Sequence, residues 1–152
     1  MTPRLDPFAP PSELVLLLIE FGRKVEGAGL EKSLLELVKI RASQINGCAV
    51  CLHMHTREAR AAGETEERLF MLDAWRESSL YSERERAALA WTEALTLLAS
   101  THAPDEVYAQ VRTQFSDEES VNLTMMINVI NSFNRFGVGY RRGHGKIERR
   151  AV

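Results

Sequence analysis

The 152-residue sequence predicts an all-α protein, a compact bundle of about six to seven helices. Three observations predict it. Apolar residues recur three and four apart through every long segment, two Ser-x-x-Glu boxes stand directly ahead of such segments, and neither strand alternation nor a two-residue hairpin signal occurs.

Residues 1–11 contain Pro3, Pro7, Pro10 and Pro11 and predict an extended lead-in. A single helical domain is expected over 12–142, followed by a basic tail over 143–152. Ser12 opens the first helix, whose Leu14, Leu17, Leu18, Phe21 and Val25 share an apolar side, and Gly27 and Gly29 end it. Leu30 to Ile45 is the second, with Leu34, Leu37, Val38 and Ile45 inward and Glu36 off the centre of that stripe. Asn46-Gly47 breaks it, and a third helix runs to Ala62 before Gly63. A short helix follows over Glu66 to Ala74.

Ser82 and Glu85 cap the next segment, which reaches Leu98. Pro104, with Asp105 and Glu106 beside it, occupies the first position of a helix through Val107, Val111 and Phe115. Ser116 and Glu119 cap a last helix reaching Tyr140. Its run from Val121 to Ile130 is oily on more than one side, as befits a central helix or one covered by another subunit. Met54, Met71, Met125 and Met126 read as core filler, and Asn131, Asn134 and Arg135 as capping or intersubunit hydrogen-bonding groups.

Composition narrows the function. A net charge of −2 and a pI near 6.1 offer no electrostatic footprint for nucleic acid. The basic cluster Arg141, Arg142, Lys146, Arg149 and Arg150 reads as a solvated end. No apolar run approaches the roughly 20 residues of a membrane span, and MTPRLDPFAPP lacks the apolar core of a signal peptide, so a cytoplasmic location is expected.

The reactive side chains are concentrated in one stretch, ELVKIRASQINGCAVCLHMH, Glu36 to His55. It holds both cysteines, Cys48 and Cys51, and two of the four histidines, His53 and His55. Helical spacing places Cys48, Cys51 and His55 on one face of the third helix and turns His53 aside as a surface or packing residue. Both thiols then fall in the first turn, where unpaired N–H groups favour an anion and lower a thiol's pKa. Two residues three apart in a helical turn have Cβ atoms about 5–6 Å apart, whereas a relaxed disulfide requires about 3.5–4.5 Å. The loop such a bond closes contributes only about 2 kcal/mol by chain entropy. The pair therefore reads as a redox couple rather than a staple, and in a reducing compartment a Cys-x-x-Cys is catalytic or metal-binding more often than structural. A zinc reading finds three ligands in Cys48, Cys51 and either His55 or His53, one short of a closed structural site.

Glu, eleven residues, Cys-x-x-Cys, three residues and His resembles the signature of the alkylhydroperoxidase AhpD-like, carboxymuconolactone decarboxylase-related family, met here by Glu36, Cys48, Cys51 and His55. The stretches YSERERAALAWTEALTLL, APDEVYAQVRTQF and INVINSFNRFGVGYR extend the resemblance over residues 12 to 142. One difference stands out: some members carry histidine between the cysteines, where this chain has Ala49 and Val50. The resemblance implies an AhpD-like helical fold and a thiol-dependent peroxidase acting on hydrogen peroxide or organic hydroperoxides. It implies that Cys51 attacks the peroxide, Cys48 resolves the sulfenic acid, and His55 with Glu36 relays protons. It implies no cofactor and no metal, an external dithiol reductant such as a dihydrolipoamide-linked system, and a homo-oligomer, trimer or hexamer. The alternatives are a carboxymuconolactone decarboxylase-type enzyme, a branch that does not depend on a Cys-x-x-Cys, and a non-catalytic oligomeric redox sensor.

Overall fold

The computed structural model describes residues 2–143; His144 and the tail residues Lys146, Arg149 and Arg150 lie outside them. Eight α-helices follow in order among the described residues: α1 Glu13–Glu26, α2 Lys32–Asn46, α3 Ala49–Ala61, α4 Glu66–Met71, α5 Glu83–Thr96, α6 Leu98–Thr101, α7 Asp105–Gln114 and α8 Asp117–Gly139. A 3-10 turn, Leu72–Ala74, extends α4 to the expected boundary. The seven expected helices are present; α6, a four-residue turn after α5, is additional.

The ends follow local chemistry. Both predicted capping boxes form, Ser82 with Glu85 and Ser116 with Glu119, each side chain bonding the other residue's backbone N–H. Pro104 stands one position earlier than expected, as the residue before α7. Helix α2 ends in a Schellman motif: Gly47 takes the left-handed conformation (φ 66°), its N–H donates to the Gln44 carbonyl, and the Cys48 N–H donates to the Ser43 carbonyl at 3.0 Å. The turn thus delivers Cys48 directly from the end of α2 to the start of α3.

Helix α8 is the central element, packed against α1, α2, α3, α5 and α7. Leu34, Leu35 and Val38 of α2 meet Leu123, Met126 and Ile127 of α8 and Ala87 and Ala88 of α5 in the main core. A second cluster joins Leu37 and Ile40 to Leu72, Trp75, Tyr81 and Leu89. Each such fully buried aliphatic side chain contributes about 1.5–3 kcal/mol.

Three expectations change. Helix α1 turns Val15, Gly22 and Val25 inward and leaves Leu14, Leu17 and Phe21 exposed, because a Gly22 without a side chain lets α1 lie against Val129 and Phe133 of α8. Of the methionines named above, only Met126 is core; Met54, Met71 and Met125 are exposed. Asn131 and Asn134 are buried within the chain and bond across to α2, so their partners are not another subunit's. The residues before α1 lie as a strap along the end of α8. The Arg4 N–H and guanidinium donate to the carbonyls of Tyr140 and Gly139 at 3.0 Å each, and Phe8 packs on Phe133 and Phe136.

Candidate active site

Cys48 is the residue before α3, with an extended backbone (φ −85°, ψ 92°), and Cys51 lies in the first turn. The two are joined as a disulfide with Cα atoms 5.4 Å apart. Only one cysteine is therefore in the helical turn. The spacing predicts both in the first turn, whereas the structure sets Cys48 just ahead of it.

The pair is asymmetric. Cys51 faces a cavity of about 400 Å³, whereas Cys48 is 1% exposed and does not line it. The cavity wall is largely apolar, built from Ile19 of α1, Val50 and Met54 of α3, and Met126, Val129 and Phe133 of α8. The strap closes one side with Phe8, over whose ring the Arg142 guanidinium stacks at 4.3 Å.

One turn beyond Cys51, His55 also lines the cavity and is buried. Its Nδ1 lies 2.9 Å from Glu58 Oε2 and 3.3 Å from Glu36 Oε2. The longer contact is too poorly aligned for a hydrogen bond, and that buried Glu36 oxygen has no aligned partner. The other Glu36 oxygen accepts from Lys39 Nζ at 2.6 Å, and Lys39, itself buried, also donates to Glu26 Oε1 at 2.8 Å. The packing of α2 against α3 thus brings Glu36 to His55. Burial pushes the Glu36 carboxyl upward, but His55 and Lys39 outweigh it and hold the group below the ordinary carboxylate range. Burial likewise pulls the Lys39 ammonium down, and Glu26 with Glu36 overcomes this and raises it.

With carboxyl oxygens facing Nδ1, that nitrogen is the one that carries an N–H. The arrangement is therefore an imidazole held at Nδ1 between two carboxyl groups, lining the same cavity as the Cys51 sulfur. Among the described residues Glu36, His55 and Glu58 have ligating atoms within 4.8 Å of one another. The Lys39 ammonium already satisfies one Glu36 oxygen and sets a positive charge beside that position, which suits proton transfer better than cation binding. His53 is half-buried and does not line the cavity.

The carboxymuconolactone decarboxylase family model matches residues 13–94, which include all four of these residues. The chain belongs to that family. Among its relatives, the uncharacterized protein YdfG of Bacillus subtilis is 40% identical over 138 residues, 91% of this chain and 94% of that protein. The uncharacterized protein Rv2313c of Mycobacterium tuberculosis is 33% identical over 103 residues, 68% of this chain but 36% of that protein. A crystal structure from Agrobacterium tumefaciens, of a protein of unknown function described as a candidate antioxidant defence protein AhpD, superposes with a TM-score of 0.91 at 40% identity. It covers 95% of this chain and 99% of that one, so the fold is AhpD-like. The debrominase Bmp8 superposes with a TM-score of 0.78 at 18% identity, covering 86% of this chain and 70% of that one, a likeness of fold alone.

Sequence reasoning did not single out Lys39, Glu58 or Gly137 for this family site. The first two were readable as partners at helical spacing, three residues after Glu36 and three after His55. Gly137, a glycine within the last turns of a long helix, carried only the weak signal that something approaches there closely.

Proposed function

We propose that the protein is a thiol-dependent peroxidase that reduces organic hydroperoxides. The observation that carries this reading is the asymmetry of the cysteine pair: Cys51 opens on an apolar cavity beside His55, and Cys48 stands bonded behind it. In the reduced enzyme His55 Nε2 takes the Cys51 proton. The thiolate attacks the distal peroxide oxygen, an S–O bond forms as the O–O bond breaks, and the His55 proton passes to the departing alkoxide. Cys51 is then a sulfenic acid and the peroxide an alcohol. Cys48 attacks the Cys51 sulfur as its thiol proton passes to the departing hydroxide, and water leaves as the disulfide forms. An external dithiol, of which a dihydrolipoamide-linked one is an example, returns both thiols by exchange and carries away the two electrons' worth of oxidation. Glu58, the hydrogen-bonded partner of Nδ1, sets the His55 tautomer, and the Glu36 carboxylate 3.3 Å away stabilises the imidazolium. The apolar wall favours hydroperoxides with an apolar body over hydrogen peroxide.

We read the working form as a cytoplasmic homo-oligomer. The exposed stripe Leu14, Leu17 and Phe21 on α1, with Leu14 at 77%, supports a covered face, and no described helix is long and apolar enough to cross a membrane. Sedimentation as a clean monomer would remove that part.

The test is steady consumption of an aryl-alkyl hydroperoxide with a dithiol as electron donor, in the wild type and in Cys51→Ser and Cys48→Ser proteins. Turnover lost in both variants, with a trappable sulfenic acid in Cys48→Ser alone, is expected. Oxidation that stops after one equivalent would make the protein a sensor. Decarboxylation of a carboxymuconolactone by the Cys48→Ser, Cys51→Ser double variant would make it a decarboxylase.

A further inference from the structure

Cys48 Sγ is buried against the backbone of α8, at Gly137. A Cβ built on Gly137 would lie 2.5 Å from Cys48 Sγ, 3.1 Å from Val50 Cγ1 and 3.5 Å from Cys51 Sγ. The first distance is shorter than real Cβ contacts permit, and the sulfur it meets is fixed by its bond to Cys51. By contrast Gly139, two residues on in the same helix, has nothing within 4 Å of the equivalent point. The missing side chain at 137 is therefore a local fit to the cysteine pair.

We infer that Gly137 is a positioning residue for the redox couple: it vacates the space that Cys48 must occupy to bond Cys51. The inference rests on the reading of Cys48 and Cys51 as a working couple, but it needs no particular oxidant. In the dithiol form no bond holds the Cys48 sulfur, so it can yield to a group at 137. In the disulfide form it cannot. A methyl group at 137 hence penalises the oxidised state more than the reduced one. It slows formation of the S–S bond from the Cys51 sulfenic acid and leaves the first attack of Cys51 on peroxide unchanged.

The experiment is equilibration of wild-type, Gly137→Ala and Gly139→Ala proteins in dithiol redox buffers, with free thiols counted by alkylation and intact mass. In Gly137→Ala the thiol–disulfide equilibrium constant shifts at least tenfold toward the dithiol, about 30 mV for this two-electron couple, and Gly139→Ala stays within twofold of wild type. A dimedone adduct on Cys51 accumulates in Gly137→Ala under hydroperoxide and not in wild type. Thermal melts close the alternative of simple misfolding. Gly137→Ala lowers the Tm of the oxidised wild-type background, but in a Cys48→Ala background, where the clashing sulfur is gone, it leaves the Tm unchanged or raises it. An unshifted equilibrium, or an equal loss of Tm in both backgrounds, would overturn the inference and make Gly137 an ordinary helix-packing glycine. A shifted equilibrium in a protein inert to every hydroperoxide would sink the peroxidase reading and leave this one standing.

Discussion

Replacing Lys39 by methionine keeps the length of the side chain and removes the charge between Glu26 and Glu36. The Lys39 side chain is 6% exposed, with Nζ at 2.8 Å from Glu26 and 2.6 Å from Glu36, whose own side chain is 14% exposed. Removing one member of a buried ion pair costs about 3–5 kcal/mol, because the other is left as an uncompensated charge. Glu36 keeps the neighbouring His55, and Glu26, 47% exposed, can turn to water, so the cost falls around the low end of that range, about 2–4 kcal/mol. For a chain of this size each kcal/mol moves the Tm by about 2–4 °C, so the variant should melt about 5–15 °C below the wild type at neutral pH.

The pH dependence follows from the direction of each shift. Glu36, lowered in the folded protein, contributes stability that is present above its unfolded pKa and lost as pH falls through its folded one. Lys39, raised in the folded protein, contributes stability that is whole below its unfolded pKa and lost as pH rises through its folded one. Between those limits both contribute, so the wild-type advantage spans the neutral range. In Lys39→Met the Glu36 carboxyl moves up, since burial is less opposed. It takes a proton on mild acidification, which relieves the stranded charge and narrows the gap in Tm below about pH 5. Calorimetric melts of both disulfide-intact proteins between pH 4.5 and 9 measure this. A neutral-pH difference under about 2 °C, or a gap that widens on acidification, would refute the account of Glu36 as a carboxylate held ionised by Lys39.

Two further outcomes follow from the site. His55→Asn removes the base but not the cavity, and should lower kcat/KM for a hydroperoxide by about 10²- to 10⁴-fold while Cys51 still reacts with an alkylating agent above its thiol pKa; stopped-flow thiol oxidation reads it. Met54 is 39% exposed and lines the cavity, so Met54→Asp should change stability by no more than about 0.5 kcal/mol yet raise KM several-fold for an aryl-alkyl hydroperoxide and not for hydrogen peroxide. Equal effects on both substrates would deny the apolar wall its part in recognition.

Much of this site could be read before folding was considered. Glu36, Cys48, Cys51 and His55 announce themselves by residue type and spacing, and the capping boxes at Ser82 and Ser116 mark helix starts with purely local chemistry. What could not be read depends on packing between distant segments. Helix α1 carries two apolar rows, Leu14-Leu17-Phe21 and Val15-Ile19-Gly22-Val25, and periodicity alone does not choose which faces α8; the absent side chain of Gly22 does. The Lys39 link to Glu26 joins α2 to α1, so it exists only once those helices lie together. Placing Cys48 before α3 rather than within its first turn required the Schellman geometry at Gly47, a boundary shift of a single residue. The role of Gly137 is a contact with a segment nearly ninety residues earlier in the chain.

The buried amide cluster between α2 and α8 has a bearing on which length changes the gene can accept. Asn46 Nδ2 donates to both Asn131 Oδ1 at 2.8 Å and Asn134 Oδ1 at 2.9 Å, and Asn134 Nδ2 donates to Ser43 Oγ at 2.9 Å. Apolar contacts tolerate sliding, whereas these bonds exist at one setting of α8 only. They pin the helix one turn before Gly137, so they act as an index mark for the hollow that receives Cys48. Deleting one residue between Asn134 and Gly137 would rotate everything beyond it by about 100° and draw it back by about 1.5 Å, presenting a side chain to the sulfur while the rest of the bundle stayed in place.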